Sequence, residues 1–130
     1  MQIATRILLW MVALIVLLTG GGIMFNGIDG VPGLKDAVAS PAIDSELRFL
    51  AAFWLAYGAF AVWVSLNLTE RQTFLPAVAI TLAASAAARV VSYFANGQPN
   101  NSTLIAATVV EFIFAALIYL FYRLNIRNSN

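Results

Sequence analysis

The stretch "AVAITLAASAAARVVSYFANG", residues 77–97, decides how this chain is read. Nearly every position is small or apolar, over a length that crosses a bilayer as a helix at ~1.5 Å per residue. One position is Arg89. The apolar run implies lipid as solvent, and the charge inside it implies a partner on another segment.

The rest of the chain has the same character. Of its 130 residues 62% are hydrophobic and 10% charged, against about 45–50% and about 25% in a soluble domain. A domain of this size exposes too much surface to hide that excess in one core. Four runs approach the ~20 residues of a membrane span: residues 7–25, 47–68, 74–95 and 103–123. They are continuously apolar and do not alternate, which argues against a barrel, and a helix satisfies its backbone groups within one run. The expectation is an all-α fold, an integral-membrane antiparallel four-helix bundle forming one domain over residues 1–130. Arg6 ahead of an apolar run also fits a signal peptide. A retained span is expected instead, because "LTGGGIMF" (18–25) stays apolar and no clean cleavage site follows.

Composition narrows the chemistry. The net charge is +1 with no basic run, so nucleic acid is not an expected partner. The chain has no cysteine and no histidine, so thiol and imidazole chemistry, disulfides and zinc sites are not expected. No metal or cofactor is expected, and the serines lack a base that would make one a nucleophile.

The connections carry local signals. "NGIDGVPGLKDAVASPAIDSE" (26–46) is the one long loop; Pro32 is placed to open a short surface helix, "GLKDAVA". Ser45 reads as the cap of the second span. "TERQT" (69–73) reads as a tight turn, with Pro76 in the first turn of the third span. Gly97 reads as a helix stop with Pro99 just beyond, and Gly20–Gly21–Gly22 as a helix end or a close crossing. Arg6, Arg71, Arg123 and Arg127 fall on one side, Lys35 and Arg48 on the other. The positive-inside rule then puts both termini in the cytoplasm of a multi-pass inner-membrane protein.

The third and fourth spans form a hairpin around "NGQPNNS" (96–102), and Arg89 and Glu111 are equidistant from its midpoint near Asn100. An antiparallel pair brings them to one level, where an unpaired charge costs about 2.5–3.5 kcal/mol. Glu111 is therefore the expected counter-ion of Arg89. Ser92 and Tyr93 lie on the same stripe of the third span, with Thr81, Ser85 and Asn96. Arg48, entering the second span, reaches inward toward Glu111 or outward to lipid phosphate, and Glu46 is placed to balance it. The candidate cluster is thus Arg48, Arg89, Glu111, Glu46, Ser92 and Tyr93. An arginine with spare donors in it suits an anionic or carbonyl group of a ligand; the plain alternative is an ion pair that sets helix register.

"SELRFLAAFWLAYGAF" (45–60) and "AARVVSYFANGQP" (87–99), followed by a glutamate in the last span, resemble a family of small bacterial four-span proteins. That family is catalogued as a domain of unknown function, the DUF 4345 type, and is similar to the broader DoxX-like group. The resemblance maps its arginine of the second span, its arginine, serine and Gly-x-Pro of the third, and its acidic residue of the fourth. The matching positions are Arg48, Arg89, Ser92, Gly97 with Pro99, and Glu111. Ala88 and Ala51–Ala52 stand where glycines are usual in that family. It implies a fold and no assigned reaction.

Two functions lead; a third, a transporter or proton carrier, is weaker, since four spans act as one only in an oligomer and no broken-helix pair is evident. The first is a non-enzymatic accessory or structural subunit, with membrane lipids and a larger membrane assembly or a second copy as partners. It follows from the scarcity of catalytic groups. The second is a binding protein or isomerase-type enzyme for a lipophilic small molecule, such as a lipid, a sterol-like compound or a quinone, in a pocket near Arg89 and Glu111. Its enzymatic form rests on analogy with DoxX-like relatives, and a carboxylate held by a guanidinium is a poor proton donor.

Overall fold

A computed structural model describes residues 2–34, 37–97 and 102–127. It is a helical bundle. Helix α1 is Gln2–Asn26, α2 is Pro41–Leu66, α3 a single turn at Leu68–Arg71, α4 Leu75–Asn96 and α5 Ser102–Arg127. Short 3-10 turns occupy Gly27–Gly30 and Gln72–Phe74. Four helical stretches among the described residues are long and apolar enough to cross a membrane.

The helices are predominantly apolar, and their outward faces are too. In α1 one face, with Leu8, Leu9, Val12, Ala13 and Val16, is buried, while Ile7, Trp10, Leu14 and Leu18 point away from the protein. Such a helix needs an apolar surround on its outer face, and a bilayer supplies one.

Chain order pairs α1 with α2 and α4 with α5 as two antiparallel hairpins. Toward the termini the hairpins meet in a close-packed core. Leu9, Val64, Leu68, Leu75, Val78 and Ile118 are all at most 1% exposed there. Tyr57 ties the hairpins together by donating its hydroxyl to the Val78 carbonyl at 2.8 Å. Toward the other end the packing loosens. The buried residues of α4 all lie between Leu75 and Ala86, and none lies beyond Ala86. The bundle is therefore shut at one end and parted at the other, and the parted end holds Arg89 and Glu111.

Several local expectations change. Helix α2 is capped by Ser40, whose hydroxyl accepts from the Ile43 amide at 3.3 Å with Pro41 at the first turn; Ser45 lies inside the helix. Ser-Pro is the stronger start, because proline presets φ and has no amide proton to leave unpaired. No helix forms over the described part of "GLKDAVA"; successive turns join Leu34 to Val31 and Ala37 to Leu34, and Lys35 lies outside the described residues. The "TERQT" segment is the α3 turn followed by a 3-10 turn. Arg71 closes it by stacking 4.1 Å above the Trp63 ring and donating to the Trp63 carbonyl. The triple glycine does not end α1, which runs on to Asn26; Gly20 instead lets α2 approach at Ala51 and Trp54. Pro76 sits in the first turn of α4, and Gly97 ends that helix with φ of 85°. Pro99 and Asn100 lie outside the described residues.

Candidate functional site

The site grows from the α4–α5 hairpin. Arg89 lies seven residues from the end of α4 and Glu111 nine from the start of α5, so both sit about 10–14 Å from their helix ends. Arg89 Nη2 donates to Glu111 Oε1 at 3.3 Å. The pair joins the helices across 22 positions of sequence. Below it on the same hairpin, the Tyr93 hydroxyl meets the Thr108 hydroxyl at 2.7 Å and donates to the Leu104 carbonyl at 3.2 Å. This second polar contact holds the open half of the hairpin at a fixed spacing.

The ion pair is half made. Nη2 and Nε share one edge of a guanidinium, and a carboxylate across that edge ordinarily takes two bonds. Here Nε and Glu111 Oε2 are both buried and, among the described residues, have no partner. Arg89 Nη1, on the other edge, has no acceptor among the described residues and is not one of the buried atoms. Arg89 thus keeps open donors while its charge is balanced by Glu111.

Two spaces adjoin these groups. The first is a cavity of about 130 Å³ between the hairpins. Val12 and Leu82 line its deep end, Val31 and Pro32 its outer end, and Trp54, Arg89, Glu111 and Phe114 its sides. The second is an open groove of about 510 Å³ between α2 and α4, with Leu50, Phe53 and Tyr57 on one bank and Thr81, Ser85 and Ser92 on the other. Trp54 and Arg89 line both. They stand where a pocket inside the bundle adjoins a groove on its lateral surface.

The other candidates are dispersed. Arg48 does not join Glu111. Its Nε donates to Asp44 Oδ2 at 2.8 Å and its Nη1 to the Met24 carbonyl at 2.6 Å. It therefore caps the end of α1 from the start of α2, as basic groups at helix C-termini do. Glu46 is exposed and does not balance it; Asp44 does, one turn before Arg48. That i,i+4 partner is legible only once α2 is known to begin at Pro41 rather than near Leu47. Ser92 is exposed on the groove, and Tyr93 serves the hairpin contact. Trp54 was not singled out from sequence as a site residue. Its only sequence signal is that it shares a face with Leu47, Ala51 and Gly58, which does not distinguish a pocket wall from a packing residue.

Among the described residues no three acidic side chains converge to hold a metal ion. What the arrangement offers is a donor-rich, charge-balanced polar point on the wall of an apolar cavity. Comparison with curated proteins and with solved structures gives no match. The sequence does match, over residues 4–122, the family described as a domain of unknown function, DUF4345, and the chain belongs to that family.

Proposed function

We propose that this small membrane protein binds a lipophilic molecule between its two helix hairpins, with the polar group of that molecule on Arg89. The observation that carries this reading is a cavity of about 130 Å³ whose walls are apolar except for the Arg89–Glu111 pair and two threonines. Apolar pockets with a few convergent polar groups are the ordinary form of a small-molecule site. An apolar cavity of similar size in another protein stays dry and takes a benzene ring, so the inner space suits a ring or a short length of chain.

The accessory-subunit reading draws on the exposed apolar faces of the helices, which lipid covers equally well. An isomerase-type reaction asks Glu111 to exchange a proton while its carboxylate faces a guanidinium, and the pair supports binding more directly than catalysis. We further place the protein in a bacterial inner membrane with both termini cytoplasmic and in the DoxX-like group, on the arginine distribution and the motif resemblance. The cysteine-free sequence suits a direct test of orientation. Thr69→Cys is expected to react with an impermeant thiol reagent only in inverted vesicles, and Ser45→Cys only in right-side-out ones.

The test of binding is extraction of the full chain in native-membrane particles, followed by mass spectrometry of the hydrophobic molecules that remain. A compound enriched over bulk lipid in the wild type and depleted in Leu82→Trp, which fills the cavity floor, is expected. Equal lipid profiles from both proteins would overturn the reading, and a stoichiometric protein partner with equal profiles would favour the accessory role.

A further inference from the structure

We propose that the occupant is an uncharged long-chain amphiphile whose hydrogen-bond acceptor rests on Arg89 and whose chain reaches the bilayer through the groove between α2 and α4. This rests on the binding reading above and deepens it.

The charge class follows from the balance at the site. Among the described residues, Arg89 and Glu111 are the charged residues lining either space, one of each sign and 3.3 Å apart. An anionic head placed on Arg89 would meet the Glu111 carboxylate across the guanidinium and would lose its water in an apolar pocket. The attraction is largely cancelled while the desolvation cost remains. A carbonyl or ester oxygen loses far less on leaving water and still accepts from an open Arg89 donor. A cationic head finds no accessible counterpart among the described residues, because Glu111 Oε2 is buried.

The route follows from the shared wall. Among the described residues, Trp54 and Arg89 are the residues common to the inner cavity and the lateral groove. A molecule whose acceptor sits on Arg89 can place a small apolar part in the cavity and its chain in the groove. The groove bank on α2 is apolar and aromatic, with Phe53 61% exposed. The bank on α4 carries Thr81, whose hydroxyl is turned back to the Ala77 carbonyl at 3.0 Å and so presents its methyl group without an unpaired donor. The α2 bank therefore accepts an alkyl chain in a membrane, and the α4 bank, with Ser85 and Ser92 beside Thr81, is the more polar side of the groove.

The test uses the full chain in neutral phosphatidylcholine vesicles, with Trp10→Phe and Trp63→Phe so that Trp54 is the sole indole. Three bromine-labelled probes of equal chain length are titrated: a long-chain methyl ester, the matching ionised carboxylate and the matching alkane. Saturable quenching of Trp54 by the ester is expected, at least about tenfold tighter than by the alkane or the carboxylate, as one hydrogen bond to a charged donor provides. Arg89→Gln is expected to bring the ester down to the alkane. Glu111→Gln leaves a guanidinium with no counter-charge and is expected to reverse the order in favour of the carboxylate. The Arg89→Gln/Glu111→Gln double variant, which leaves no orphan charge, guards against misfolding and should match the single Arg89 variant. Carboxylate bound as tightly as ester by the wild type, or ester binding indifferent to Arg89, overturns this proposal and leaves a binding pocket standing. No saturable quenching by any probe overturns the binding reading itself.

Discussion

Arg89 is the residue on which the outer half of the protein turns. Its side chain is 32% exposed and that of Glu111 15%, so the pair is neither a solvated surface bridge nor a sealed one. Replacing Glu111 with Gln leaves a half-buried cation without its partner, and a loss of about 1–3 kcal/mol in folding stability is expected. Removing both charges is expected to cost less than the two single changes summed, because each single change strands the other group. Thermal melts of the four proteins in one detergent measure the coupling, and strict additivity would show that the contact contributes nothing. Tyr57 is a simpler case. Its hydroxyl serves a single acceptor, the Val78 carbonyl. Tyr57→Phe should therefore cost about 0.5–1.5 kcal/mol in the same assay.

At the scale of elements, the join between α1 and α2 is built from three mutually dependent parts. Gly27 holds a φ of 60°, a conformation that side chains disfavour, and a β-carbon there would overlap the Asp44 carboxylate. Asp44 in turn orients Arg48, and Arg48 caps α1 through the Met24 carbonyl. Asp44 and Arg48 are 36% and 40% exposed, so Asp44→Asn alone should cost no more than about 1 kcal/mol. Gly27→Ala meets both the backbone and the steric obstacle and should cost more than Asp44→Asn, above about 1 kcal/mol. Chemical melts of the two variants decide the order; an equal effect would mean that the loop relaxes around the new methyl group. The α3 corner is held differently, by Arg71 on the Trp63 ring and by Phe60, Trp63 and Phe74 in mutual contact.

For the whole molecule, the uneven packing is the feature with the widest consequence. The terminal end of the bundle is a filled core and the opposite end a cleft, so deletions of equal chemistry should differ in cost by position. Ile118 is fully buried, and Ile118→Ala should cost about 2–5 kcal/mol. Val110 lines the cavity and is already 37% exposed. Val110→Ala should therefore cost less than about 1 kcal/mol, since little packing is lost where a space already exists. Similar losses at both sites would mean that the cleft is closed in the membrane.

The amino-acid sequence by itself determined the class of this protein, its four helices and the meeting of Arg89 with Glu111. Those follow from one-dimensional quantities: run length against bilayer thickness, and equal distance from a hairpin midpoint. Gly97 and Pro76 were legible for the same reason, since each acts on its own backbone. The start of α2 was misread because Ser45 sits nearer the apolar run than Ser40, and that error hid Asp44 as the partner of Arg48. Only the tertiary structure decided that Arg48 caps α1, that the ion pair is half made, and that Trp54 and Arg89 line both a pocket and a groove. Those depend on how two hairpins lean against each other. Helices that are apolar over most of their surface can rotate and tilt in lipid at little cost in burial, so the pattern along one helix does not specify where the neighbouring hairpin parts from it.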